Sequence, residues 1–314
     1  MPVSQEMIGG IVDNLVPYID RHIQARSTTS IKTPFIFGLT GLQGSGKSTW
    51  TNTFVKQLNH KHKYNTISIS LDDLYLDHGN LVKLRLANPD NKLVQTRGQP
   101  GTHDMELARS FFDSLNSDCE VIIPLFDKSK FNGEGGRAPK EKWQCVPAGT
   151  QIDVVIFEGW CVGFQPLDEA IIRQKWEREF QQEETTDFPV KTLKDHALGH
   201  LLEANEKLRQ YCDQFLGQQH LDFLLHLDTS SLGNVYKWRL QQEHDLFQRT
   251  GESMTNEEVV QFVRGYMSAY ELYLEQMQDQ LRRGFFDDKT KGRVRVLLDQ
   301  DRNIEDYIEY SREI

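Results

Sequence analysis

The motif GLQGSGKS at residues 41–48 constrains this chain more than any other feature of its sequence. It fits the pattern G-x-x-x-x-G-K-[ST] in full, between an apolar segment and a helical pattern. Glycines at this spacing let successive backbone N–H groups point at phosphate oxygens, and the N-terminus of the following helix adds positive potential. The lysine can then reach the β- and γ-phosphates, and the hydroxyl after it can ligate Mg²⁺. The motif therefore predicts a nucleotide-phosphate site within a strand–loop–helix unit.

The nucleotide expected at this loop is ATP, bound together with Mg²⁺. A guanine-specific switch protein should carry N-K-x-D, but the one Asn-Lys pair, at 91–92, is followed by Leu-Val. A degenerate nucleotide-binding scaffold is an alternative. The intact lysine and serine of the motif argue against it. The predicted nucleotide-binding residues are Gly41, Gln43, Gly44, Ser45, Gly46, Lys47, Ser48 and Thr49.

Apolar segments alternate with helical patterns along the chain, which predicts an α/β fold with a parallel sheet covered by helices on both faces. Strands are predicted at 34–40, 66–71, 120–125, 153–157, 221–227 and 293–298. Helices are predicted at 5–25, 47–60, 103–116, 198–217, 231–249 and 255–281. We expect one domain over 1–314, with an N-terminal helix within 1–30, a polar insertion at 174–197 and a lid-like helical segment at about 231–250.

Acidic side chains follow two of the predicted strands. Asp72 and Asp73 come directly after the second strand, and ligands of parallel sheets bind beyond the carboxyl ends of the strands. A carboxylate there can take the proton of a substrate hydroxyl, a role we assign to Asp72, although a helix N-cap is the competing interpretation. Glu158 ends another apolar strand and is expected to face Mg²⁺ across from Ser48.

Basic side chains mark three further segments. Arg97 and His103 belong to the polar turn RGQPGTHD, and Lys128 opens a glycine-rich stretch at 127–137. These residues could bind an anionic group, or the two segments could be ordinary surface turns. Arg239 lies on a helical pattern and could stabilise charge during transfer, as lid arginines do.

With these segments assembled, the chain resembles the fungal ATP-dependent kinases related to D-glycerate kinase of plants, within the phosphoribulokinase, uridine kinase and pantothenate kinase group. The segments that carry the resemblance are GLQGSGKST, SLDDLYL, RGQPGTHD, PLFDKSKFNGEG, VVIFEGW and VYKWRLQQEH. The resemblance implies a P-loop kinase fold with a five-stranded parallel core and a small hydroxylated acceptor. It places Lys47 and Ser48 on the nucleotide and Mg²⁺, and an aspartate of SLDD near the acceptor hydroxyl. Together with the position of Arg239, this predicts Lys47, Asp72 and Arg239 as the catalytic residues.

The resemblance implies that Arg97, His103 and Lys128 line the acceptor side. We also predict acceptor contacts for Asp73, Tyr75 and Asp127. One position departs from the family pattern, G-x-G-D-R after DKS, because Gly136 stands where that pattern has aspartate. The acceptor is therefore left open between a hydroxy acid such as D-glycerate and a uridine- or pantothenate-type substrate.

The composition of the chain limits the kinds of partner that it is expected to bind. The formal net charge is −10, which argues against nucleic acid or an anionic membrane as the main partner. No apolar run is long enough for a membrane span, and the first residues lack the pattern of a signal peptide. The four cysteines lie far apart and form no metal or disulfide pattern. We expect a cytoplasmic protein with a small-molecule substrate and leave its oligomeric state open.

Overall fold

The structure, a computed structural model, describes residues 5–28, 33–180 and 187–310. The helices in these ranges are α1 (Gln5–Thr28), α2 (Lys47–His60), α3 (His78–Ala87), α4 (Met105–Ser114), α5 (Glu169–Glu179), α6 (Leu198–Tyr211), α7 (Gly233–Thr250) and α8 (Asn256–Arg283). The strands are β1 (Phe35–Gly41), β2 (Thr66–Ser70), β3 (Val121–Ile123), β4 (Phe126–Asp127), β5 (Gly136–Arg137), β6 (Gln144–Val146), β7 (Val154–Gly159), β8 (Phe223–Thr229), β9 (Gly292–Leu298) and β10 (Ile304–Glu309).

The central sheet has the strand order β10-β9-β8-β1-β7-β2. Its neighbouring strands are parallel except for β9 and β10, which are antiparallel. Core strands such as β8 are buried on both faces, as parallel strands between two helical layers should be. The predicted α/β fold with a five-stranded parallel core is therefore confirmed, with an antiparallel strand added at one edge.

The strand predicted at 120–125 is present as β3, but the expectation that it joins the parallel sheet is wrong. Residues Val121–Ile123 pair antiparallel with β6 in a separate two-stranded sheet. The middle residue, Ile122, is 43% exposed. An antiparallel sheet can pack one face on the protein and leave the other face in solvent. A second two-stranded antiparallel sheet, formed by β4 and β5, follows β3 in the chain.

The predicted N-terminal helix is α1, and its apolar side chains Ile8, Val12 and Ile19 are fully buried in the core. The predicted polar insertion at 174–197 is less solvated than expected. Its carboxyl-terminal part packs on α8, where the Glu271 carboxylate accepts hydrogen bonds from both the backbone N–H and the hydroxyl of Thr192. Residues 181–186 of the insertion lie outside the described residues.

The sheet register brings the predicted site together. Glu158 on β7 lies beside Leu39 of β1 on one side and Ser70 of β2 on the other. The phosphate-loop motif, the segment after Ser70 and the end of β7 therefore meet at the same edge of the sheet, as parallel strands require. Among the described helices, none is both long and apolar enough to cross a lipid bilayer.

Candidate active site

A cavity of about 840 Å³ opens at this edge of the sheet. Among the residues predicted from the sequence, those that line it are Gln43, Gly44, Gly46, Lys47, Ser48, Thr49, Asp72, Tyr75, Arg97, Lys128, Glu158 and Arg239. Gly41, Ser45, Asp73, His103 and Asp127 do not line it. The phosphate loop and the segments that carry Arg97 and Lys128 therefore line the same cavity.

The glycines of the phosphate loop have conformations that other residues adopt at a cost. Gly44 and Gly46 have φ angles of 80° and 91°, in the left-handed region. A Cβ atom on Gly44 would lie 2.7 Å from Cβ of Trp238, and one on Gly41 would lie 2.8 Å from Cβ of Leu227. The loop is thus packed closely against β8 and α7, and only glycine fits at these positions.

Lys47 is the cation of the loop. Its Nζ donates to the carbonyl oxygens of Gly41, at 2.8 Å, and Leu42, at 3.2 Å. Burial lowers the pKa of Lys47, and the nearby carboxylates of Glu158 and Asp72 oppose that shift. The ammonium group therefore lies at the loop, within the electrostatic reach of both acids.

Glu158 and Ser48 are suited to a hydrated Mg²⁺. Burial raises the pKa of Glu158, while Lys47 and a hydrogen bond from Ser70 oppose the shift, so a cation would stabilise its charged form. Within the described ranges, no three His, Cys, Asp or Glu side chains converge as a metal cage. Magnesium in kinases does not need one, because it is held by one or two protein oxygens together with phosphates and water.

Asp72 lies at the centre of a hydrogen-bonded group. Its carboxylate accepts from Nζ of Lys128 at 2.5 Å and from the hydroxyl of Tyr75 at 2.8 Å. Burial alone would raise the pKa of Asp72, but the charge of Lys128 and these two hydrogen bonds outweigh it and lower the pKa to about 2. The carboxylate is therefore ionised and faces the cavity.

Neither aspartate is the N-cap of the short helix that follows β2, but Asp73 takes part in its capping. A short 3₁₀ helix at Leu71–Leu74 has Ser70 as its cap, and the Asp73 side chain completes the capping box. Asp73 also accepts a hydrogen bond from the backbone N–H of Phe126, at 3.0 Å. Burial raises the pKa of Asp73 to about 6, against the effect of these N–H donors. Asp73 thus shapes the backbone, which leaves Asp72 to the cavity.

His103 lies behind the cavity wall and not in it. Its buried ring stacks on Tyr75, with centroids 4.4 Å apart, and its Nδ1 is 3.0 Å from the hydroxyl of Tyr211. Burial lowers the pKa of His103 to about 3, against the charge of Asp72. The prediction that His103 contacts the acceptor is therefore revised, since a neutral ring in this place supports Tyr75.

Asp127 is likewise a turn residue. Its carboxylate accepts hydrogen bonds from the backbone N–H and the hydroxyl of Ser129, at 3.0 and 2.6 Å. The side chain is thus used by the local turn and does not line the cavity, because residues of this type favour such local bonds. It fixes the backbone on both sides of Lys128.

Arg97 holds the glycine-rich loop, which we define as residues 128–137, against the cavity. One of its Nη atoms donates to the carbonyl oxygens of Gly133, at 2.6 Å, and Glu134, at 2.5 Å. The Glu134 carboxylate in turn pairs with Arg85, at 3.3 Å, and with His78, at 2.9 Å. One part of the cavity wall is therefore formed by a loop tied down at two points, next to Arg85 and Arg97.

Arg239 reaches the cavity from α7. Its guanidinium donates to the Gln242 side chain at 2.7 Å and pairs with Glu243 at 2.6 Å. It also lies 5.2 Å from the ring centre of Phe262 on α8. These contacts hold a positive charge in the cavity wall beside the phosphate loop.

The sequence analysis missed two tyrosines of α8. The hydroxyl of Tyr270 accepts a hydrogen bond from the backbone N–H of Gln43 at 3.1 Å, and Tyr266 lines the cavity and donates to the carbonyl of Arg97 at 3.4 Å. Their spacing of four residues puts both on one helix face, but such a pair is more often part of a core. Arg85 and Glu134 were missed as well, because nothing in the sequence pairs α3 with the glycine-rich loop.

Known proteins resemble this chain over most of its length. It is 38% identical over 266 residues to a protein of Schizosaccharomyces pombe named uncharacterized kinase mug58. The matched region covers 84% of this chain and 88% of that protein. It is 32% identical over 306 residues to the probable ATP-dependent kinase TDA10 of Saccharomyces cerevisiae, covering 94% of each. No protein-family model matches the chain.

A solved structure shows the same fold. The D-glycerate 3-kinase of Cryptococcus neoformans superposes with a TM-score of 0.80, over 97% of this chain and 99% of that one, at 31% sequence identity.

Proposed function

Because this chain belongs to the fungal P-loop kinases related to D-glycerate 3-kinase, we propose that it transfers the γ-phosphoryl group of ATP to a hydroxyl of D-glycerate. That it is an ATP-dependent kinase with a hydroxyl acceptor follows from the family. The identity of the acceptor and the role of each residue are the proposal. The observation that carries it is that the phosphate loop and the Asp72–Lys128 pair line the same cavity.

The nucleotide binds at the end of the cavity formed by residues 41–49. Backbone N–H groups of the loop and the N-terminus of α2 face the phosphates, and Lys47 neutralises their charge. Ser48 and Glu158 would hold Mg²⁺, which would supply further charge neutralisation. The raised pKa of Glu158, caused by its burial, supports this assignment, because a cation beside it would stabilise its charged form.

Asp72 receives the proton of the acceptor hydroxyl. The acceptor oxygen forms a bond to the γ-phosphorus, the bond from that phosphorus to the β,γ-bridging oxygen breaks, ADP leaves, and the hydroxyl proton passes to Asp72. Lys128 and Tyr75 keep the carboxylate ionised and fix its direction. Arg239 lies in the wall where negative charge is redistributed during transfer.

The cations that line the cavity outside the phosphate loop favour an acid as the acceptor. Three of them are Arg97, Arg85 and Lys128. Arg85 is paired with Glu134 and Lys128 with Asp72, whereas the contacts of Arg97 are to carbonyl oxygens and a ring. The charge of Arg97 is therefore available to the carboxylate of a hydroxy acid, which a nucleoside does not have.

The test is identification of the phosphorylated product. Purified protein with ATP and MgCl₂ is offered D-glycerate, other hydroxy acids, sugars, uridine and pantothenate, and the products are resolved by mass spectrometry. We expect phosphoglycerate at a higher kcat/KM than any other product. A clear preference for uridine or pantothenate would replace the proposed acceptor, and no product from any acceptor would refute the transfer.

A further inference from the structure

Arg302 contacts the phosphate loop from the opposite end of the chain. It lies in the turn between β9 and β10, with a φ angle of 65°. The Asp299 carboxylate accepts hydrogen bonds from the backbone N–H groups of Asp301, at 2.8 Å, and Asn303, at 2.7 Å. The turn on which Arg302 lies is therefore internally braced, and its side chain projects from a fixed backbone.

All three nitrogens of the Arg302 guanidinium are used. Nε donates to the carbonyl oxygen of Gly44 at 2.7 Å, and the two Nη atoms donate to the side chain of Gln241 at 2.7 Å and the carbonyl of Trp238 at 2.8 Å. Gly44 belongs to the phosphate loop and the other two residues to α7. A planar fork with separate donors can make these bonds at once, and a lysine cannot.

The bond to Gly44 determines how one peptide of the phosphate loop is oriented. The peptide between Gly44 and Ser45 is planar, so its C=O and N–H point in opposite directions. Arg302 draws the C=O outwards, while the N–H of Ser45 donates to the carbonyl of Leu42 at 3.2 Å. The conformation of the loop at this peptide thus depends on a side chain 258 positions away.

The bonds to α7 connect the same turn to Arg239. The indole Nε1 of Trp238 donates back to the carbonyls of Gln300, at 2.9 Å, and Asp299, at 3.2 Å. Trp238 is fully buried and directly precedes Arg239, which lines the cavity. The turn therefore holds the helix that carries this arginine by reciprocal bonds.

We infer that Arg302 is a positioning residue for phosphoryl transfer, which holds the phosphate loop and the Arg239 segment of α7 in a fixed relative arrangement. It does not line the cavity, so it acts through Gly44 and Trp238. The inference rests on the proposed nucleotide site at residues 41–49. Preorganisation of this kind contributes to both nucleotide affinity and turnover.

The test combines direct ATP binding by calorimetry with steady-state kinetics on Arg302→Ala, Arg302→Lys and Arg26→Ala. Arg26 is a matched control, because its buried side chain also bridges two elements, donating to the carbonyl of Ile152 and to Asp153, away from the cavity. For Arg302→Ala we expect a roughly 10- to 100-fold weaker ATP affinity and a lower kcat, with the acceptor KM unchanged, because charge-assisted bonds are lost. Arg302→Lys should recover part of the lost ATP affinity. Millimolar guanidinium should restore ATP binding by Arg302→Ala but not by Lys47→Ala.

Two results would overturn the inference. One is an ATP affinity of Arg302→Ala equal to that of Arg26→Ala, and the other is an effect of Arg302→Ala on melting temperature alone. Lys47→Ala separates this inference from the proposed function. Normal ATP binding by Lys47→Ala would refute the nucleotide site itself. If Lys47→Ala loses ATP binding and Arg302→Ala binds ATP normally, only the role of Arg302 is refuted.

Discussion

Lys128 Nζ lies 2.5 Å from Oδ2 of Asp72, and this ion pair joins residues 56 positions apart at the wall of one cavity. The pair explains how a partly buried carboxylate stays ionised although desolvation raises its pKa. It also places a cation beside the atom that we propose to receive the proton. The predictions below follow from this arrangement and from the loop opposite it.

Asp72→Asn is expected to lower kcat by roughly 10²- to 10⁴-fold, the usual effect of removing a general base, with ATP affinity nearly unchanged. The amide keeps the shape of the carboxylate but cannot take the proton. Steady-state kinetics and ATP calorimetry on the same preparation measure the two quantities. Asp73→Asn is the neighbouring control and should reduce stability instead, because Asp73 completes a cap. Equal losses of turnover and ATP affinity in Asp72→Asn would make Asp72 a binding residue.

Lys128→Met should lower kcat by roughly 10- to 100-fold, the value of the charge-assisted hydrogen bond that it makes to Asp72, while the KM for ATP stays within error. The substitution keeps much of the side-chain length and removes the charge next to Asp72. Lys142→Met, an exposed lysine of the same region, serves as the control. A rise in the KM for ATP without a fall in kcat would move Lys128 to the nucleotide side.

Gly44→Ala should weaken ATP binding by more than about tenfold, because a Cβ atom there combines left-handed strain with a close contact to Trp238. Gly149→Ala separates the two causes. Gly149 has a similar φ angle of 75°, but its added Cβ would meet nothing within 4 Å. Calorimetric titration with ATP should show normal affinity for Gly149→Ala. If Gly44→Ala also binds normally, the loop does not depend on its packing against α7.

Stability should fall as the pH is lowered, in part because of His103. The folded pKa is about 3, lowered from 6.5 by burial. Below pH 6.5 the unfolded chain therefore binds a proton that the folded chain does not, and stability declines towards pH 3. Between pH 7 and pH 5 this amounts to about 2 kcal/mol from His103. His103→Phe keeps the stacking on Tyr75 and should remove that share of the decline.

Urea unfolding at pH 7 and pH 5 measures the decline for the wild type, His103→Phe and the exposed-site control His60→Gln. Only His103→Phe should show a smaller difference between the two pH values. The same difference in all three proteins would show that His103 is not the residue responsible.

Much of the site follows from the sequence because its parts are local or lie at strand ends. The loop at residues 41–48 is defined by contiguous residues, while Asp72 comes shortly after β2 and Glu158 lies near the end of β7. Once the strands are known to be parallel, their carboxyl ends must converge, so the cavity wall around these acids is predictable. The choice between Asp72 and Asp73 depends on which carboxylate caps the 3₁₀ helix, and only the structure shows it.

Other parts could not be inferred, because they depend on pairings between distant segments. Tyr266 meets Arg97 across 169 residues and Arg302 meets Gly44 across 258. Each of these residues by itself resembles an ordinary helix or surface position. The strand predicted at 120–125 exists, but its sheet was predicted wrongly for a related reason, since a short apolar run does not reveal which sheet it joins. That residues 1–314 form one domain stays a prediction.

The most direct test of the central claim is acceptor-dependent ADP formation by the wild type, Lys47→Ala and Lys56→Ala. Lys56 is an exposed lysine on the same helix as Lys47 and controls for the loss of charge. We predict that D-glycerate stimulates ADP formation by the wild type and by Lys56→Ala, and that Lys47→Ala shows no such stimulation. ATP turnover that is the same in all three proteins and indifferent to every acceptor would contradict the account.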